Sequence, residues 1–352
     1  MKKRIIPHSR PTIGQAEIDA ATKVIASSQI AQGKQVAAFE NEFARRIGVK
    51  YAAAVSSGTT ALHLALLSLG VTEGDEVVLP SYVCTALLNA VNYVRAVPVI
   101  ADIDPDSQNI DPADVAERVT AFTKAIIVPH MFGRMADMTE MYKLGVPLIE
   151  DCAQAVGASL DGDMAGSLGR LGVYSFYATK VMTCGEGGMV VSNEKALIER
   201  VKDAREYDNQ GDYAVRYNFK MTDFQAAMGR QQLDQLADFI YQRRKIAAKY
   251  HQAFEKLSTG LPPADAGHIF YRYNLNVGRN VGRWIAQMQA AGIVCAKPVF
   301  RPLHQYVEGH SCPQADKAYK QIVSIPIYPT LSDADTDTII NAVTQIQNGM
   351  QT

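Results

Sequence analysis

Apolar residues recur along this chain in two alternating rhythms. Between Gln35 and Ile47, the residues Val36, Phe39, Phe43 and Ile47 fall on one helical face, and Gly48 is placed to end that helix. The stretches Ile18–Ile25, Ala61–Leu69, Ala86–Val94 and Pro112–Thr120 read as further helices. Between and after them lie brief apolar runs: Tyr51–Ser56, Glu76–Leu79, Val97–Ile103, Lys124–Val128, Pro147–Ile149, Gly172–Phe176 and Met189–Val191. Runs this short and this apolar read as strands covered on both faces. Their alternation with helices predicts an α/β fold, a mostly parallel sheet flanked by helices. Further on, Thr222 and Gln225 have capping-box spacing and open a long helix. A large domain over residues 1–245 is expected to give way on that helix, near Arg243 to Tyr250, to a small α+β domain over 246–352. The small domain is expected to hold strands at Phe270–Val277 and Ile322–Ile327. Its helices are expected at Trp284–Ala291 and Ser332–Ile346, the last begun by Ser332 with Asp335 three residues on.

Composition narrows the function classes. At 352 residues the chain can bury an ample core, and 47% hydrophobic with 20% charged residues describes a globular protein. A formal net charge of -1 gives no electrostatic reason to expect nucleic acid or an anionic membrane. The five cysteines are widely spaced with no CxxC pair, which suits reduced thiols in a cytoplasmic enzyme and argues against a metal site. MKKRIIPHSRP at the N-terminus is basic but has no apolar core of a signal peptide, and no run of about 18 apolar residues exists to cross a membrane.

Three stretches carry candidate chemistry. In GVYSFYATKVMTCGEGGMVVS, Lys180 lies between two apolar strands, ahead of a glycine-rich turn. A lysine there is costly unless its amine has a partner or is used chemically, and a desolvated neutral amine attacks carbonyls to form a Schiff base. In VPLIEDCAQAVGA, Glu150 and Asp151 end a short buried strand, where open α/β sheets place their ligands. An aspartate there can keep a pyridine nitrogen protonated, as pyridoxal phosphate (PLP) chemistry requires. In SSGTT, a strand turns through Gly58, Thr59 and Thr60 into a helix, which makes an anion site of free backbone N–H groups.

Together these stretches resemble the fold-type-I PLP enzymes. More narrowly, QGKQVAAFENEFARRIGVKYAAAVSSGTTALHLAL, EDCAQAVGA, SFYATK and TCGEGGMVVS are similar to the DegT/DnrJ/EryC1/StrS family of nucleotide-sugar aminotransferases, over almost the whole chain. The resemblance implies amino transfer, with glutamate as donor, to a nucleotide-linked keto-sugar of polysaccharide or secondary-metabolite synthesis. Lys180 would carry PLP and act as general base once released. Gly58, Thr59, Thr60 and Ser175 would hold the phosphate, Asp151 the ring nitrogen, and Gln154 would sit over the ring near its hydroxyl. Cys84 stands where the family commonly stacks an aromatic residue on the ring.

The resemblance also implies a homodimer with shared active sites, since Asn218 matches a residue that reaches the partner's phosphate. Arg216 and Lys220 replace the glycine and arginine usual on either side of it. Tyr177, Glu186 and His304 are the candidate substrate contacts, His304 within KPVFRPLHQY, which resembles a substrate-facing loop whose Lys297 and Arg301 could meet a diphosphate. His130 is given a structural role. Dehydratase relatives carry histidine in place of Lys180 and are disfavoured. Aminocyclitol or aminohydroxybenzoate branches remain open, as does, less favoured, a non-catalytic PLP-binding regulator.

Overall fold

The computed structural model describes residues 4–208 and 210–349. In chain order, the first half runs α1 (Gln15–Ala26), α2 (Lys34–Ile47), β1 (Tyr51–Val55), α3 (Gly58–Ser68), β2 (Glu76–Pro80), α4 (Ala86–Tyr93), β3 (Val97–Ala101), α5 (Pro112–Arg118), β4 (Thr123–Pro129), α6 (Met138–Tyr142) and β5 (Leu148–Asp151). A two-residue hairpin, β6 (Ser159–Leu160) and β7 (Asp163–Met164), precedes β8 (Leu171–Ser175), β9 (Gly188–Ser192) and α7 (Lys195–Ala204). The remainder is α8 (Asp223–Phe254), β10 (Tyr273–Asn276), α9 (Val281–Ala290), α10 (Pro313–Gln321), β11 (Ile322–Ile325) and α11 (Asp333–Gly349).

Seven strands form one sheet in the order β1-β9-β8-β5-β4-β2-β3. All neighbours are parallel except β9, which runs against both β1 and β8. Residues 176–187 turn the chain back beside β8 without a crossover helix, and this turn carries Lys180. Along β1 the side chains alternate between two cores. Ala53 and Val55 join α3, α4 and α7, whereas Ala52 and Ala54 join α2 and α8.

Helix ends follow their sequence signals. Gly48 adopts φ +84° after α2, and Thr222 and Gln225 bond reciprocally at the start of α8. Ser332 Oγ accepts from the Asp335 N–H at 3.1 Å to cap α11. The 32-residue α8 packs Leu233, Leu236 and Ile240 on the large sheet. Its later residues Ile246, Ala247, Tyr250 and Phe254 belong to a different core with Tyr273, Trp284, Ile325 and Ile339. Ile6 joins that second core, bridged to Ile293, so the N-terminal arm lies across the C-terminal part of the chain.

Candidate active site

Register along the sheet gathers the site. Val55 at the end of β1 faces Gly188, and Gly188 in turn faces Ser175 at the end of β8. The turn after β1 therefore meets Ser175. A Cβ on Gly58 would lie 2.6 Å from Ser175 Cβ, and one on Gly188 would collide with the Ser57 carbonyl. Both positions require glycine for close approach of backbone. Ser57 caps α3, accepting the Thr60 N–H at 3.1 Å, and the Thr60 hydroxyl sits 2.9 Å from Ser57 Oγ. Thr60, expected among the cofactor-binding groups, thus has both its N–H and its hydroxyl engaged in the cap. Gly58 and Thr59 open the first turn of α3 beside Ser175, where the N–H groups of a helix start have no intrahelical acceptor and suit an anion.

Asp151 ends β5, two strands from β9, and is 7% exposed. Its Oδ1 accepts the Ala153 N–H at 3.0 Å. Burial pushes the carboxyl above the usual range, while the Ala153 N–H, Lys180 and His130 pull the other way. A protonated ring nitrogen in front of it would supply the opposite charge that burial makes costly to lack. Glu150 faces away, because successive strand residues point to opposite faces. It is fully buried against His130 Nε2 at 2.8 Å and the N–H groups of Gly166 and Leu168, each at 2.8 Å, and of Gly169. His130 Nδ1 accepts the Ala136 N–H at 3.0 Å, so the pair is structural.

Lys180 sits half-buried in the turn after β8, with its Nζ 5.4 Å from the centre of the Tyr271 ring. Burial pushes the Tyr271 phenol up, but Lys180, Arg272, a bond from Thr179 and Arg243 more than offset this and leave it below its ordinary value. Gln154 is fixed through Oε1, which accepts the Phe132 N–H at 3.0 Å. Cys84 is exposed. Desolvation by its surroundings pushes the thiol up, with Lys180 lowering and Asp151 raising it. The thiol therefore shares the electrostatic surroundings of both.

An acid on one strand end, an amine in the turn after a neighbouring strand and a helix start beside Ser175 thus lie at the C-terminal ends of the sheet's strands. Residues 11–344 match the profile described as the DegT/DnrJ/EryC1/StrS aminotransferase family. This chain belongs to that family. Among its relatives, the spore coat polysaccharide biosynthesis protein SpsC of Bacillus subtilis is 33% identical over 383 residues, covering 99% of this chain and 98% of the relative. GDP-perosamine synthase of Escherichia coli O157:H7 is 32% identical over 361 residues, covering 97% and 98%. The solved aminotransferase TlmJ from Streptoalloteichus hindustanus superposes with a TM-score of 0.92 at 32% identity, over 99% of this chain and 100% of that one. As a member of the DegT/DnrJ/EryC1/StrS family the protein is an aminotransferase with PLP as its cofactor and the fold-type-I architecture.

The other expected residues of this aminotransferase lie around that edge in varied settings. Tyr177 and Glu186 are exposed at either end of the Lys180 turn, and the Glu186 carbonyl accepts Gln225 Nε2 at 3.0 Å. His304 departs from the substrate-facing expectation. Its Nδ1 lies 2.5 Å from Ser81 Oγ and its Nε2 3.3 Å from Asp316, with only 9% of the side chain exposed. Both ring nitrogens have protein partners, so His304 ties its loop to the end of β2. Lys297 Nζ rests 3.4 Å from the Tyr319 ring centre, and Arg301 lies over Tyr306.

Asn218 is exposed between Tyr217 and Phe219, whose rings stack at 4.8 Å against His63. The Tyr217 and Phe219 N–H groups bond the carbonyls of Ala204 and Arg205, and the Phe219 carbonyl accepts the Ser56 N–H at 2.8 Å. The segment is thereby pinned beside the start of α3, with Asn218 exposed. Arg216 pairs with Asp203 and Asp212, and Lys220 with Glu206 and Asp208. Three residues that cluster beside Lys180, Tyr271 under its amine and Arg272 and His8 next to that ring, were not singled out from the sequence, because nothing local marks them.

Proposed function

We propose that this protein moves an amino group from glutamate to a nucleotide-linked keto-sugar, in the cytoplasm, as a homodimer with shared active sites. The observation that carries the reading is the convergence of Lys180, Asp151 and the Gly58–Ser175 cradle at the C-terminal ends of the sheet's strands, in a chain whose relatives include a GDP-perosamine synthase. Among the described residues no helix is long and apolar enough to cross a membrane.

The residues divide the work by position. The N–H groups of Gly58 and Thr59 and the Ser175 hydroxyl hold the cofactor's phosphate. Asp151 would hold the proton on its ring nitrogen, Gln154 and Cys84 would contact the ring, and Lys180 would be the attachment point. Bound there, PLP supplies the electron sink that lets the donor's carbon lose a proton. With the cofactor bound, the Lys180 amine would serve as the base that carries that proton. Tyr177 and Glu186 frame the way in for the sugar. Asn218, exposed and backed by a bonded backbone, reaches the partner subunit's cradle. The strongly exposed side chains of Tyr213 and Val215 in the same segment support a covered face there. The two cores meeting along α8 support a large domain of residues 1–245 and a small one of 246–352.

The test is a panel of nucleotide keto-sugars with different nucleotides, together with an aminocyclitol ketone, incubated with glutamate and the purified holoenzyme. Formation of 2-oxoglutarate only with a nucleotide keto-sugar supports the reading. Turnover of the cyclitol ketone alone moves the protein to the other branch. Borohydride reduction should fix the cofactor on Lys180, and a label on any other lysine overturns that assignment.

A further inference from the structure

Tyr271 enters the site from the C-terminal part of the chain, on a segment shared between two cores. Ile269 and Tyr271 pack with the large sheet, whereas Phe270 and Tyr273 belong to the second core. Two backbone bonds tie the segment to the loop after β4, from the Ile269 N–H to the Gly133 carbonyl at 2.9 Å and from the Arg272 N–H to the Phe132 carbonyl at 3.4 Å. Buried Arg243, where α8 passes from one core to the other, donates to the carbonyls of Tyr271 at 3.2 Å and Ile327 at 3.0 Å. The ring held in this way is 6% exposed.

That ring meets two consecutive residues of the turn after β8. The Thr179 side chain bonds the phenol oxygen, and the Lys180 Nζ stands over the ring, 5.4 Å from its centre. Lys180 acts on the phenol through its charge, while the bonded partner of the oxygen is Thr179, so the amine meets the face of the ring. An aromatic face is electron-rich and attracts an ammonium within about 6 Å of its centre. Arg272 lies 5.3 Å from the same centre, and its positive charge and that of Arg243 repel the amine. The ring face offsets that repulsion. Within the turn, the Lys180 N–H bonds the Tyr177 carbonyl at 2.9 Å, which fixes the backbone and leaves the long side chain to be placed by its surroundings.

We propose that Tyr271 is a positioning residue for Lys180, the fixed face of its ring holding the lysine amine at the place from which it meets the cofactor. The proposal rests on Lys180 being the attachment lysine and adds the group that aims it. Aim matters because a displacement of about 1 Å in a reacting group can cost about 100-fold in rate. Thr179 serves the same end by orienting the phenol. Arg243 makes the aim of the lysine depend on how the C-terminal part of the chain packs on the large sheet.

The test reads Lys180 itself, on the full-length protein freed of cofactor. Trace labelling with acetic anhydride at neutral pH, followed by unfolding and complete labelling with the heavy isotope, gives the reactivity of each lysine by mass spectrometry. Tyr271→Leu should label Lys180 about 2- to 30-fold faster than wild type, the range for losing a cation–π contact. Lys202, held by Glu40 at 2.7 Å, should not change. Tyr271→Phe keeps the ring face and should stay within about 2-fold of wild type. In the loaded enzyme, the single-turnover rate with glutamate should fall in Tyr271→Leu and hold in Tyr271→Phe. A measurement on the wild type guards against a folding failure of the leucine variant. After reductive methylation with 13C, the Lys180 signal, assigned by its loss in Lys180→Arg, should lie upfield of the other lysines because of the ring. Equal Lys180 labelling in all three proteins, a rise in Tyr271→Phe as large as in Tyr271→Leu, a matching rise at Lys202, or a Lys180 signal among the other lysines would overturn the proposal. Borohydride fixing the cofactor on a different lysine would instead overturn the assignment of Lys180, whatever the labelling shows, so the two failures are distinct.

Discussion

Gly58→Ala offers the sharpest probe of the cofactor cradle, because the added atom has a known neighbour. The new Cβ would stand 2.6 Å from Ser175 Cβ, 3.0 Å from its Oγ and 3.3 Å from its Cα. Saturated carbons rest nearer 3.5–4.0 Å apart, so α3 and the end of β8 must separate by about 1 Å. Neither side yields easily, since the sheet register fixes Ser175 opposite Gly188 and the Ser57 cap fixes the helix start. Overpacking of this size costs about 1–3 kcal/mol. Widening the cradle moves the Gly58 and Thr59 N–H groups away from Ser175, so much of that cost should appear in cofactor binding. A loss of about 1–3 kcal/mol there corresponds to a roughly 5- to 150-fold weaker Kd for PLP.

The assay is equilibrium titration of apoprotein with PLP, followed by absorbance, with a urea melt of the same apoprotein. The control is Ser175→Gly, which removes the atoms in the way along with one hydroxyl. In the double variant the added methyl meets no Cβ, so Gly58→Ala should cost little beyond Ser175→Gly alone, a strongly non-additive pair. Wild-type PLP affinity in Gly58→Ala would place the phosphate elsewhere. Strict additivity in the cycle would refute the steric account even if affinity falls.

Other outcomes follow from the same geometry. Asp151→Asn should still bind PLP but slow the half-reaction with glutamate by about 10²- to 10⁴-fold in single-turnover absorbance; an unchanged rate removes Asp151 from the ring nitrogen. Lys180→Ala and Asn218→Asp chains, each poorly active alone, should regain about a quarter of full activity when dissociated together and reassembled, since about half the dimers are mixed and each has one intact site. No recovery in confirmed mixed dimers would refute a shared site. Glu150→Gln should destabilise the protein by about 3 kcal/mol at neutral pH through its lost charge-assisted bonds. Burial raises the Glu150 carboxyl, but His130 and the N–H groups of Gly169 and Gly166 outweigh it and hold the pKa below its ordinary 4.5. A depressed carboxyl stabilises the fold above the unfolded-state value and loses that contribution as pH falls through the folded one. The gap between wild type and variant in urea melts should therefore narrow below about pH 4.5, and a constant gap would contradict the charge-based explanation.

Much of this protein is written locally. The apolar runs that form β1, β2, β4, β5, β8 and β9 are visible because strands buried on both faces need unbroken apolar stretches. Thr222 with Gln225, Ser332 with Asp335, and Gly48 mark helix ends through bonds and φ values that span at most a turn. The positions of Lys180 in the turn after β8, of Asp151 at the end of β5 and of Gly58 at the start of α3 were legible too, since strand ends and helix starts are set by the same local runs.

Tertiary structure decided the rest. Glu150 and Asp151 are adjacent acids at one strand end, and only the sheet's two faces send one to His130 and the other to Lys180. Thr60 looked equivalent to Thr59 until the cap engaged it, and His304 looked free until Ser81 and Asp316 took both its nitrogens. His8 and Arg272 meet across 264 residues of chain. No propensity or spacing encodes such a pair. It exists because folding the arm onto the second core, through Ile6 and Ile293, brings together groups whose local sequence gave neither a reason to be charged nor a reason to be near.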